Sequence, residues 1–226
     1  VVSLRLRNLI KLYIQDYQEF ERLPALINYH VRYLKKNLEF RLGGNHLLEN
    51  GFALFIGGLI TKQYNFTNKG SILIKQQLKE QILDDGMHYE RSPMYHLIIL
   101  ERLLDSLNFA LASDDKLIPF LKRYACKMVA HALNWIDLDR IPMMQDSTYD
   151  IAIPLKDLLE YSNSLLNNEY PKLASPLKKS GYRIIRNNIF QLVANVGNIG
   201  PNYQPGHSHA DELNFEFFYL GKPIIV

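Results

Sequence analysis

Apolar residues recur at spacings of three and four through most of the first 180 positions, and at spacings of two after that. The first period belongs to a helix with one buried face, the second to a strand with one buried face. Residues 4–20 make the first predicted helix. Pro24 opens a second, carrying Ala25, Ile27, Val31 and Leu34 toward Phe40. Proline suits a first turn, where its missing N–H would find no partner anyway. Gly43-Gly44 breaks that helix, and Asn45 is expected to cap a third through Leu47, Leu48, Phe52, Phe55, Ile56 and Leu59. Thr67 is expected to cap a fourth through Leu73, Ile74, Leu78 and Ile82, ended by Asp84-Asp85-Gly86. Ser92-Pro93 starts a fifth, with the serine as cap. A sixth begins at Asp114 or Asp115 and runs to Trp135; the last spans 154–166.

Near Tyr182 the period changes. Tyr182, Ile184 and Ile185, then Phe190, Leu192, Val193 and Val196, read as strands. Leu213, Phe215, Phe217 and Tyr219 alternate, which makes them the expected buried face of a third strand. Gly221-Lys222 turns the chain into a fourth at 223–226. The helices have short links, so they are expected to form antiparallel pairs. Residues 1–181 are therefore assigned to a helical domain, and 182–226 to the start of an antiparallel β domain. No fixed-period repeat runs through the helices.

Composition narrows the picture without changing it. The 226 residues are 47% hydrophobic and 22% charged, ordinary globular values. The net charge of +3 is too small to suggest a nucleic-acid partner, and Lys35-Lys36 or Lys178-Lys179 are isolated basic pairs. The single cysteine, Cys126, excludes a disulfide framework within the chain and is expected to be a buried thiol. No run is long and apolar enough to span a bilayer; the best, residues 52–60, is short and holds two glycines. The sequence opens without Met and ends in a strand pattern, so it is expected to be a piece of a longer protein.

Candidate chemistry lies in four places. Gly206-His207-Ser208-His209-Ala210-Asp211 enters the third strand, and a His-x-His in extended chain points both rings to one face. Such a pair suits zinc if further ligands come from elsewhere, or general-base work near neutral pH; it is equally a polar loop pair with ordinary partners. Asn45, His46 and Glu49 share a face at a helix start, where an amide and free N–H groups favour an anion. An ordinary cap with a solvated glutamate reads the same way. Tyr89-Glu90-Arg91-Ser92-Pro93-Met94-Tyr95-His96 flanks another helix start. There Tyr95 could shuttle a proton, with Arg91 or His96 as the cation that lowers its pKa. Alternatively Tyr95 is a core residue and Glu90-Arg91 a surface pair. Gln145-Asp146-Ser147 lies in an irregular stretch that is either a rim loop or a connector.

These four motifs, in this order and at these spacings, resemble the heparinase II/III family of polysaccharide lyases, from about Gly43 to Val226. The resemblance implies an incomplete (α/α) toroid of antiparallel helix pairs followed by the first strands of an antiparallel β-sandwich. It implies β-elimination on an acidic polysaccharide containing uronic acid (heparan- or heparin-like, alginate-like, or a bacterial surface glycan), leaving a 4,5-unsaturated uronate end. By resemblance Asn45, helped by His46, neutralises the uronate carboxylate. Tyr95 is the acid and, for one epimer, also the base; His207 is the second proton-transfer residue or neutraliser. Glu49, Glu90, Arg91, His96 and Asp146 are expected around the substrate. No cofactor is implied for the reaction. His209 matches a ligand of a structural zinc whose other ligands would lie beyond Val226. A periplasmic or secreted location in a bacterium is implied as well. The sequence departs from the family pattern at Asn214, where serine is usual, at Asn195, where aspartate is frequent, and at Gln145, where asparagine is frequent. The alternative is a non-catalytic glycan-binding or surface-polysaccharide assembly protein on the same scaffold.

Overall fold

The computed structural model describes residues 2–15, 20–135, 140–171, 177–198 and 213–226. Among the described residues, seven helices come first: α1 (Val2–Gln15), α2 (Leu23–Lys36), α3 (Gly44–Ile60), α4 (Tyr64–Gln81), α5 (Pro93–Ala112), α6 (Ile118–Ala132) and α7 (Leu155–Leu166). Four strands follow among those residues: β1 (Tyr182–Arg186), β2 (Phe190–Asn195), β3 (Phe215–Tyr219) and β4 (Lys222–Ile225). The chain divides into two compact units, Val1–Lys79 with Asp105–Leu121, and Glu80–Leu104 with Lys122–Val226. Among the described residues no helix is long and apolar enough to cross a membrane.

In the first unit α1, α2 and α3 pack on one another around Leu6, Ile10, Ile27 and Val31, with Gly57 of α3 against Val31 and Leu6. Helix α3 lies against α4 in antiparallel fashion, and glycines set how closely they approach. A Cβ on Gly51 would meet Leu73 at 3.1 Å, one on Gly58 would meet the Thr67 nitrogen at 2.3 Å, and one on Gly70 would meet the Phe55 nitrogen at 2.4 Å. Backbone therefore touches backbone along this pair. Asn45 and Thr67 are not the predicted caps. The residue before α3 is Gly43, with φ 63°, and Gly44 follows at φ 49°, a conformation that side-chain-bearing residues resist. Helix α4 begins three residues ahead of Thr67, whose hydroxyl donates back to the Gln63 carbonyl from inside the helix.

In the second unit the serine cap is present: the Tyr95 N–H reaches Ser92 Oγ at 3.4 Å, with Pro93 in the first turn of α5. The sheet runs in the order β1-β2-β3-β4, antiparallel throughout. Its buried face carries Tyr182 and Ile184 from β1, Val193 and Asn195 from β2, and Glu216 and Phe218 from β3. The predicted phase of β3 is therefore inverted. Leu213, Phe215 and Tyr219 are 73%, 41% and 48% exposed, while Glu216 is 4% exposed. Register explains this, since Glu216 pairs with Val193, whose side chain already faces the core. Cys126 is half-buried rather than buried, and its burial raises the thiol pKa.

Asp85 ties the start of the sheet to the turn after α4. Its Oδ2 accepts from the Ser180 N–H at 2.8 Å, the Ser180 hydroxyl at 2.9 Å and the Lys179 N–H at 3.1 Å. Its backbone carbonyl accepts from His131 Nδ1 at 2.9 Å. His131 and His96 lie side by side with ring centroids 5.6 Å apart, both fully buried, with Trp135 edge-on to each. Burial lowers the pKa of both, and for His96 the neighbouring His131 and His88 lower it further. The unfolded imidazoles titrate near pH 6.5 and the folded ones below that. Below about pH 6.5 the unfolded chain thus binds more protons, and folding is favoured less. Each such histidine is expected to remove up to about 1.4 kcal/mol per pH unit between its unfolded and folded pKa values. Urea unfolding followed at pH 7.5 and pH 5.5 should show a lower midpoint at the acid value. Replacing both histidines with glutamine should flatten that difference; an unchanged difference would contradict the assignment.

Candidate functional site

The left-handed pair Gly43 and Gly44 delivers Asn45 and His46 on the first turn of α3. Behind them Asn50, fully buried where α3 passes into its apolar stretch, holds the chain at Glu39 through two bonds. Its Oδ1 accepts from the Glu39 N–H at 2.8 Å, and its Nδ2 donates to Glu39 Oε2 at 2.7 Å. The other carboxylate oxygen of Glu39 lies 3.6 Å from His46 Nδ1. Asn50 thus orients Glu39, and Glu39 orients the imidazole. His46 is exposed, while Asn45 and Glu49 are half-buried. An amide and an oriented imidazole on a helix start can hold a carboxylate.

The second group sits at the start of α5. Tyr95 is half-buried, and its phenol pKa is raised, first by burial and then by the carboxylates of Asp146 and Glu90. This corrects the expected cation effect. Arg91 commits its guanidinium to the carbonyls of Asn198 and Lys179, and its own carbonyl accepts from the Tyr182 hydroxyl at 2.9 Å. His96, expected near substrate, is a core histidine with 0% exposure. Its Nε2 lies 3.0 Å from the Met128 carbonyl, and its Nδ1 accepts from the His88 N–H at 3.3 Å. Glu90 is buried as well, with Oε2 3.9 Å from His88 Nδ1. The environment therefore keeps Tyr95 protonated near neutral pH, which suits a proton donor better than a base.

Asp146 belongs to the segment 142–147, which is closely held. Met144 and Gln145 are buried, Gln145 has φ 58°, and the Ser147 N–H bonds back to the Met144 carbonyl at 3.3 Å. Ser147 Oγ lies 3.1 Å from Ser92 Oγ and accepts from the Met94 N–H at 3.2 Å. This connection went unforeseen, because a serine in an irregular stretch gives no periodic signal. A cavity of about 310 Å³ borders the same stretch, lined by Leu97, Ile141, Thr148, Tyr149 and Pro154. Neither Tyr95 nor Asp146 lines it.

The structure thus groups Asn45, His46 and Glu49 in the first unit, and Glu90, Tyr95 and Asp146 in the second. His207 and His209 lie outside the described residues. The chain on either side of them is paired, with the Leu213 N–H on the Asn195 carbonyl at 3.0 Å and the Asn195 N–H on the Asn214 carbonyl at 2.9 Å. Among the described residues, no group of three or more His, Cys, Asp or Glu could hold a metal ion.

The fold class is the one implied by the resemblance, an incomplete (α/α) toroid followed by the first strands of an antiparallel β-sandwich. Two family models match in tandem: Heparinase II/III N-terminus over residues 18–168, and Heparinase II/III-like, C-terminal, over residues 170–226. The chain belongs to the heparinase II/III family. Similar solved structures include heparinase III (TM-score 0.75, 17% identity, 98% of this chain and 41% of that chain covered). A heparinase III gene product aligns with TM-score 0.76 and 20% identity, over 98% of this chain and 39% of that one. The heparan sulfate lyase of Pedobacter heparinus aligns with TM-score 0.65 and 18% identity, over 98% and 39%. At such identities the likeness concerns the fold. This chain spans about two fifths of the length of those structures. No curated protein sequence matches it.

Proposed function

We propose that the protein to which this chain contributes is a polysaccharide lyase that cleaves uronate-containing acidic glycans by β-elimination, heparan-sulfate-like chains being the first substrate to test. The observation that carries the reading is the tandem family match across residues 18–168 and 170–226. The chemistry must overcome the weak acidity of the uronate C5 hydrogen. Asn45 and His46 neutralise the carboxylate, so that charge building up at C5 can delocalise onto it. His207 takes the C5 proton, the C5–H electrons form the C4=C5 bond, and the C4–O bond breaks. Tyr95 gives its phenolic proton to the departing glycosidic oxygen. The raised phenol pKa supports this role, because it keeps the proton in place until the leaving oxygen becomes basic. Glu90 and Asp146 act on the phenol, and Glu49 lies on the neutralising helix for contact with substrate. A periplasmic or secreted location fits such a substrate.

The test separates the carboxylate from the rest of the substrate. Asn45→Ala in the full-length enzyme is expected to lower kcat on the native polysaccharide about 100- to 1000-fold, the cost of losing one preorganised donor at a developing charge. Carboxyl-reduced polysaccharide should be left intact by the parent enzyme. Cleavage of that reduced substrate at the native rate would refute the elimination reading.

A further inference from the structure

We infer that Ser147 is a positioning residue for Tyr95, and that Glu216 anchors the segment through which it acts. The inference rests on the acid role proposed above for Tyr95. Like any α-helix, α5 starts with N–H groups that its own turns cannot satisfy. Pro93 has none to offer, so Met94 and Tyr95 present the first two. Ser92 Oγ takes the Tyr95 N–H at 3.4 Å, as a local cap. Ser147 Oγ takes the Met94 N–H at 3.2 Å and lies 3.1 Å from Ser92 Oγ. A hydroxyl from a distant segment thus completes the cap and joins the local one. The turn that carries the phenol is fixed against residues 142–147.

That segment is fixed in turn from the sheet. Glu216 Oε1 accepts the Met143 N–H at 2.6 Å, and Glu216 sits on the buried face of β3, opposite Val193. A buried carboxylate is costly to keep without bonded donors, so its presence there calls for a task. Between Met143 and Ser147 lie Met144 and Gln145, both buried, the latter with φ 58°. The segment has little room to shift. It also carries Asp146, whose charge raises the Tyr95 pKa. Sheet, segment and helix start form one continuous chain of bonds: Glu216 to Met143, Ser147 to Met94 and Ser92, Ser92 to Tyr95. Moving the segment would displace both the acid and the carboxylate that tunes it. Displacements near 1 Å at a reacting group cost up to about a hundredfold in rate.

The experiment is a double-mutant cycle in the full-length enzyme with Ser147→Ala and Tyr95→Phe, on a polysaccharide that the parent cleaves. Ser147→Ala is expected to lower kcat roughly tenfold to a hundredfold with KM within about twofold, and Ser147→Thr, which keeps the hydroxyl, to recover most of the loss. In the Tyr95→Phe background the same Ser147→Ala change should cost less than about threefold, because the group it positions has lost its proton. An equal factor in both backgrounds would overturn the positioning role and leave Ser147 a general packing residue. Tyr95→Phe at parental turnover would instead overturn the acid reading beneath it. Glu216→Leu, which removes the anchor of the segment and keeps both cap hydroxyls, supplies the same comparison if Ser147→Ala does not fold. Equal factors for it too would sink the inference.

Discussion

Tyr95→Phe in the full-length enzyme is expected to lower turnover on a uronate polysaccharide by about two to four orders of magnitude, the usual share of a positioned acid. The phenylalanine keeps the ring and removes only the transferable proton. The ring is half-buried, so its packing survives and the thermal midpoint should stay within a few degrees of the parent. The pH profile offers a second readout. Burial, Asp146 and Glu90 all push the phenol above its ordinary value of about 10, so the acid form persists across the whole neutral range. The alkaline limb of kcat due to Tyr95 should therefore lie above about pH 10, and Asp146→Asn should move it downward. Near-parental turnover in Tyr95→Phe would remove the phenol from the mechanism. An alkaline limb below pH 8 that vanishes in Tyr95→Phe would mean that substrate or a cation reverses the shift described here.

Gly70→Ala is expected to unfold the first unit more readily, and the sign of that effect is informative. In an ordinary helix interior alanine is favoured over glycine by about 1 kcal/mol. Here the new Cβ would sit 2.4 Å from the Phe55 nitrogen, 2.7 Å from its Cα and 2.8 Å from the Gly51 carbonyl oxygen. All three are backbone atoms of α3, which cannot rotate aside as a side chain can. Overpacking of this kind costs about 1–3 kcal/mol and occasionally more, so the clash outweighs the propensity gain. With a cost near the upper end of that range, set by three backbone contacts under 3 Å, the net loss expected in urea unfolding is up to about 2 kcal/mol. Gly51→Ala, whose nearest contact is the Leu73 Cβ at 3.1 Å, should cost less. A Gly70→Ala chain more stable than the parent would show that α3 and α4 part easily.

The fold was legible wherever a local rule decided the outcome. Ser92-Pro93 announced a helix start that the structure caps with Ser92 Oγ, and the change of period near Tyr182 marked the sheet. Legibility failed where tertiary pairing overruled the local rule. Asn45 looked like a cap, but the left-handed Gly43 and Gly44 take the turn themselves. The alternation in β3 was read correctly as a strand and wrongly in phase, because register with β2 puts Glu216 on the buried face. No single-residue pattern tells that a glutamate in a strand will face inward to hold a distant N–H.

The candidate site was partly legible for similar reasons. Its reactive types stood out at helix starts, where Asn, His and Tyr carry meaning. Their supports did not. Asn50 and Glu39 are eleven positions apart, and Ser147 meets Ser92 across fifty-five. The one hint was Asn50, a lone amide in the apolar run of α3. Arg91 and His96, drawn into the predicted site by adjacency, instead serve the interior. One binds the carbonyls of Lys179 and Asn198, and the other is sealed beside His131 and Trp135.

The most direct measurement digests heparan sulfate with the full-length enzyme and follows the ultraviolet absorbance of a conjugated C4=C5 uronate, with mass spectrometry of the products. The account predicts that absorbance rises in step with chain cleavage, and that the new non-reducing ends are lighter by one water than hydrolysis products. Cleavage that yields saturated ends without absorbance would contradict it.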